Sequence, residues 1–200
     1  MTSAPADPNQ TVSIALVRGF NDLGAALLRR TPPRANCILS PFSIGVVLSA
    51  AAEGARGTTR SELARLMGLP QEATERSNDT SALLRRVKTR TAEDWVFDHQ
   101  TGKSAVVQRQ VFALHTANAL FVQSGYRLLA AFQELLLSDF EAHCMAVDFM
   151  AAREAASRIN QWVADQTRGK IPEIVSPSSL STDSRLVLAN AVYFFAQWAS

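Results

Sequence analysis

Cysteine is scarce in this chain, with only Cys37 and Cys144 among 200 residues. Their distant, apolar settings suggest neither a metal site nor a disulfide framework, so both read as buried thiols. Long apolar runs are missing as well. The longest, Leu186 to Ala196 with Asn190 inside it, falls short of the roughly 18 residues that suggest a membrane span. Charge of one sign is not in excess, since 20 Lys and Arg stand against 18 Asp and Glu. That balance excludes the concentrated positive charge of a general nucleic-acid binder. The first fifteen residues carry no basic stretch followed by an apolar one, so the expectation is no secretion signal and a cytoplasmic site. No glycine-rich phosphate loop, HExxH or CxxC occurs, which leaves nucleotide and zinc chemistry without an anchor and predicts no cofactor. What is present is a 47% hydrophobic, 19% charged composition, that of a globular chain able to bury a core unaided.

Hydrophobic spacing orders the chain. Val12, Ala15, Leu16, Gly19, Phe20, Leu23 and Leu27 recur at helical period after a flexible lead over residues 1–8, with Asn9 as a candidate cap. Asn36 to Leu39 has the length of a short strand, and Ser40-Pro41 then supplies an N-cap and a first-turn proline. The helix from Pro41 to about Ala52 is apolar nearly all round, which predicts burial on most sides. Thr59 to Glu62 reads as a capping box before a short helix ended by Gly68 and Pro70. Ser77 to Arg90 reads as a helix with a basic outer face, and Thr91 to Gln110 as an irregular surface loop. Val111 to Gln123 predicts a long, largely buried strand, Leu128 to Leu136 a helical face, and His143 to Phe149 a further short strand. A helix from about Ala151 to Gly169 follows, and Leu186 to Trp198 predicts a strand covered on both faces. Such a strand needs a partner on each side, because an open apolar edge templates aggregation. The 200 residues alone are therefore expected to be poorly stable or to associate.

Four stretches in order resemble the serpin family: NCILSPFSI at 36–44, EGARGTT at 53–59, TANALF at 116–121, and INQWVADQTRGKI at 159–171 followed by LVLANAVYFFAQW at 186–198. The resemblance runs over essentially the whole chain but covers only the amino-terminal half of a serpin, and the carboxy-terminal half is absent here. It implies an α+β, serpin-like fold with helices A to F and part of the central β-sheet A, in a single domain of which residues 1–200 are the amino-terminal portion. Val111–Gln123 then looks like the second strand of sheet A and Leu186–Trp198 like the third. The implied activity is suicide inhibition of serine, or sometimes cysteine, proteases, in which a reactive loop inserts into sheet A as an extra strand. The reactive loop has no counterpart in these residues, so inhibition by this chain alone is not expected. The alternative is a non-inhibitory serpin-like binding or structural protein, or a truncated product. The family also leaves an extracellular location open.

By the same resemblance Asn36, Ser40, Pro41 and Ser43 match the family's shutter motif, where the sheet opens, and Asn190 matches the strand-borne shutter asparagine. Trp198 matches the tryptophan at the breach where insertion starts. Plainer readings stand beside these: turn and cap chemistry for Asn36, Ser40 and Ser43, and an ordinary core aromatic for Trp198. Asn190 is harder to dismiss, because an unpaired amide in an apolar strand is costly. Arg85, Arg86, Lys88 and Arg90, with Lys103 and Arg109 beyond, make either a solvated face or a site for a heparin-like polyanion, a ligand some serpins take on helix D; Glu93, Asp94 and Asp98 dilute the patch. A cysteine hydrolase pairing Cys37 or Cys144 with His115 or His143 is the enzymatic alternative. The apolar setting of Cys37 and the opposed strand faces of His143 and Cys144 argue against it.

Overall fold

A computed structural model describes residues 12–32, 36–69, 73–87, 90–98 and 102–196, with only the backbone described at 73–77, 90–98, 105 and 107–113. Helix α1 (Ile14–Arg29) buries Leu16, Gly19, Phe20, Leu23 and Gly24, the face its spacing predicts. Its cap is Ser13, whose Oγ accepts from the Ala15 amide; Asn9 lies outside the described residues. Helix α2 (Pro41–Gly54) begins at the Ser40 cap, where Oγ accepts from the Ser43 amide at 3.2 Å, and its proline occupies the first turn. Only Gly54 in α2 is exposed, as an apolar circumference requires. Gly45 lets α1 approach, since a Cβ there would lie 2.6 Å from ring carbons of Phe20.

Several helix boundaries differ from the sequence reading. Helix α3 (Gly57–Met67) starts ahead of the expected capping box, behind an Arg56 cap that makes no side-chain capping bond, and ends at the left-handed Gly68 as anticipated. Helix α4 spans Ala73–Arg86 rather than Ser77–Arg90. Asn36 to Leu39 is not a strand. Cys37 is exposed instead of buried and Ile38 is 99% exposed, because no strand pairs with this segment among the described residues.

The largest departure is 91–110, which is not a loop. Its backbone forms a hairpin of β1 (Arg90–Asp98) and the first half of β2 (Lys103–Gln123), antiparallel from Arg90↔Phe112 to Asp98↔Lys103 around Gly102 at φ +68°. The polar, charged residues that suggested a loop also suit a ribbon with solvated side chains, and hydropathy does not separate the two. Beyond the hairpin come α5 (Ala130–Phe140), β3 (Ala142–Val147), α6 (Ala152–Gln166) and β4 (Leu186–Ala196).

Strand β2 is the axis of the sheet. Its second half pairs in parallel with β3, from Asn118↔Ala142 to Gln123↔Val147, and antiparallel with β4, from Phe112↔Ala196 to Val122↔Leu186. Alternation of side chains assigns each residue a face. Leu120, Val122 and Leu188 join Val46, Ala50, Leu136 and Phe140 in the core beneath α2 and α5. Ala119, Phe121 and Ala189 join Phe149, Ala155 and Ile159 beneath α6, where Trp162 meets Phe121 edge-on at 5.8 Å between ring centroids. The middle of β4 is thus covered on both faces, but Phe194 and Phe195 at its end are exposed. The far edge of β4 has no partner strand among the described residues.

Candidate functional site

The strand register and the α2 cap converge on one point. Asn118 and Asn190 stand directly opposite each other on β2 and β4. Each lies two residues from a leucine of the α2 face, Leu120 and Leu188 respectively, so both amides point toward α2. Pro41 fixes the start of α2 against α1, where Gly24 leaves room for its ring. One residue pair later, the Ser43 side chain faces the sheet. Ser43 Oγ donates to Asn190 Oδ1, Asn190 Nδ2 donates to Asn118 Oδ1 at 2.7 Å, and Asn118 Nδ2 donates to the Phe140 carbonyl at 2.8 Å.

These bonds run donor to acceptor in one direction through four elements: α2, β4, β2 and the end of α5. The Phe140 carbonyl belongs to the last turn of α5, where carbonyls lack helical partners, and Asn118 supplies the missing donor. Asn118 is only 3% exposed, so its amide has little access to water and depends on these partners. A chain of this kind holds two strands in register and can be released stepwise, because hydroxyl and amide groups both donate and accept.

Other candidates stand elsewhere. Asn36 is exposed and takes no part in this chain of bonds. Trp198 and Lys88 lie outside the described residues. Arg85 and Arg86 end α4, with Arg85 donating to Ser81 Oγ at 2.6 Å, while Arg90 opens β1 and the exposed Lys103 opens β2. The basic residues therefore do not form the single helical face that the sequence predicts. Cys144 sits half-buried on β3 with its thiol pushed up by burial, the reverse of what a nucleophile needs. Cys37 Sγ faces Thr31 Oγ1 at 3.8 Å, and neither thiol bonds a histidine among the described residues. Among those residues no cluster of three His, Cys, Asp or Glu side chains could hold a metal, and no helix is long and apolar enough to cross a membrane.

Asn118 escaped assignment on sequence grounds although it stands in the same apolar context as Asn190. The argument that a buried amide in an apolar strand must be paired applied to it equally.

Comparison with known proteins decides the family. A model of the serpins, described as serine protease inhibitors, matches residues 19–200. The chain belongs to the serpin family. An uncharacterised serpin-like protein of Thermococcus kodakarensis is 37% identical over 166 residues, covering 82% of this chain and 34% of that protein. The leukocyte elastase inhibitor of Xenopus tropicalis is 32% identical over 167 residues, covering 82% of this chain and 39% of the relative. The chain thus spans well under half the length of these relatives. Among solved structures, the Manduca sexta serine protease inhibitor serpin-12 superposes with a TM-score of 0.72 at 24% identity, over 91% of this chain and 45% of that one, which supports the fold. In this serpin, β2 and β4 are the neighbouring strands that resemblance to sheet A assigned as second and third. The family is one of protease inhibitors rather than enzymes, which sets the hydrolase alternative aside.

Proposed function

We propose that this chain forms the sheet-bearing, amino-terminal part of a serpin that inhibits serine proteases by the suicide route. The edge of β4 is where an extra strand enters, and the Ser43–Asn190–Asn118 chain is the catch that keeps β4 on β2 until it does. The observation that carries this reading is the continuous chain of side-chain bonds from Ser43 of α2 through Asn190 of β4 to Asn118 of β2. A catch fits the role because it is costly to break yet rebuilds with new partners. A buried amide left without a partner costs about 1–3 kcal/mol, small enough for an incoming strand's backbone bonds to offset. The inhibitor names among the relatives support a serine protease as partner, with cysteine proteases as the second class.

The test is incubation of the protein from its native source with trypsin-, chymotrypsin- and elastase-like proteases. Inhibition predicts an SDS-stable one-to-one complex, in which the protease serine Oγ holds the acyl group of a cleaved loop whose new amino end has left. Cleavage without a stable complex favours a non-inhibitory binding or structural role.

A further inference from the structure

Strand β4 is held on its second face as well. Tyr193 lies three residues beyond Asn190, so its ring is on the α6 side of the sheet. There the Arg168 guanidinium carbon stands 5.1 Å from the ring centroid, within cation–π range. Arg168 is exposed and has no carboxylate within salt-bridge distance among the described residues, so the ring is its partner. His115 of β2 lies on the same ring at 6.1 Å between centroids.

The backbone that delivers Arg168 is unusual. Arg168 adopts φ +52°, a left-handed conformation that side chains resist, directly before Gly169 at φ +73°. The turn is pinned from below: buried Thr167 donates through Oγ1 to the Val163 carbonyl at 2.8 Å and accepts from the Ile171 amide at 3.1 Å. Gly169 N–H closes onto the Ala164 carbonyl at 2.7 Å. A residue held in a disfavoured conformation and aimed at a ring on another element signals a constraint worth its cost.

We propose that Arg168 is a clasp residue: its guanidinium on Tyr193 ties the turn after α6 to β4, so that the end of β4 and the end of α6 open as one unit. It acts as a positioning residue for strand entry and, in that respect, rests on the reading of β4's edge given above. Asn190 latches β4 to α2 on one face, and Tyr193 latches it to α6 on the other.

Amide hydrogen exchange on the whole protein as its source makes it, with no protease present, tests the clasp, so its failure would leave the inhibition experiment untouched. Arg168→Ala and Tyr193→Leu should each speed exchange at 192–196 and 163–170 by about two- to fivefold, the range of an exposed cation–π contact. The double variant should be no faster than the faster single one, and β3 amides at 142–147 should not change. Tyr193→Phe and Arg168→Lys keep a ring and a cation and should stay near the parent. Arg168→Gly relieves the left-handed backbone but removes the cation, so exchange at 192–196 should still rise. Additive effects of the two single changes, acceleration spread evenly into β3, or slower exchange in Arg168→Gly would each overturn the clasp. If Tyr193→Leu fails to fold, the Ala, Lys and Gly variants at the exposed position 168 decide the matter.

Discussion

Replacing Asn190 by Leu gives the sharpest prediction. The change removes the acceptor of Ser43 Oγ and the donor of Asn118 Oδ1 at once. Asn118 is 3% exposed, so its oxygen is left without water and should cost about 1–3 kcal/mol. Ser43 is only part-buried and can regain a water, which limits its share to about 1 kcal/mol. The leucine side chain recovers some of this by burial beside Leu188, so the expected net loss is about 1–3 kcal/mol. Urea unfolding followed by Trp fluorescence at submicromolar concentration measures it. The same logic makes Asn118→Leu costly by itself but predicts that Asn118→Leu with Asn190→Leu is less destabilised than the sum, because removing both partners leaves no orphaned amide between them. An Asn190→Leu variant within about 0.5 kcal/mol of the parent, or strictly additive losses, would refute the argument that the relay holds β4 to β2.

The edge of β4 away from β2, unpaired among the described residues and close to exposed Phe194 and Phe195, predicts concentration-dependent association of these 200 residues taken alone. Phe194→Lys with Phe195→Lys should raise the monomer fraction in sedimentation velocity, and a monomeric, cooperatively melting parent chain would contradict this. Gly45→Ala drives a methyl into the Phe20 ring and should lower stability by about 1–3 kcal/mol in thermal unfolding; no loss would show that α1 yields freely. Bonds from Gln123 and from the Met150 amide hold the Asp148 carboxyl below its ordinary range. Its contribution is therefore present above the unfolded-state pKa and lost as pH falls through the folded value. Gln123→Leu should raise the Asp148 pKa in an NMR titration. Arg85→Ala with Arg86→Ala should change salt elution from heparin little, since the basic residues are divided between α4 and the hairpin; a large drop in retention would restore the polyanion site.

Much of this fold was legible because burial wrote it into local spacing. The α2 circumference, the β2 and β4 apolar runs and the α6 stripe each face a core, and the Ser40-Pro41 start obeys local capping rules. Features set by non-local partners were not legible. The 91–110 hairpin is built from polar and charged residues whose pairing is set by backbone register, which hydropathy does not distinguish from a loop. Asn36–Leu39 has strand composition but pairs with no strand among the described residues. At the site, Ser43 and Asn190 were singled out by resemblance. Asn118 and the Arg168–Tyr193 contact required the register, which sequence spacing does not contain.

The most direct test of the gate itself is the partition of the source protein between SDS-stable complex and cleaved product with a serine protease it traps, compared with its Asn190→Leu variant. A catch that times strand entry predicts that both proteins are cleaved at the same site but that the variant's fraction trapped as complex shifts by severalfold. No trapping by the parent with any serine protease, or an unchanged partition in a folded variant, would contradict the account.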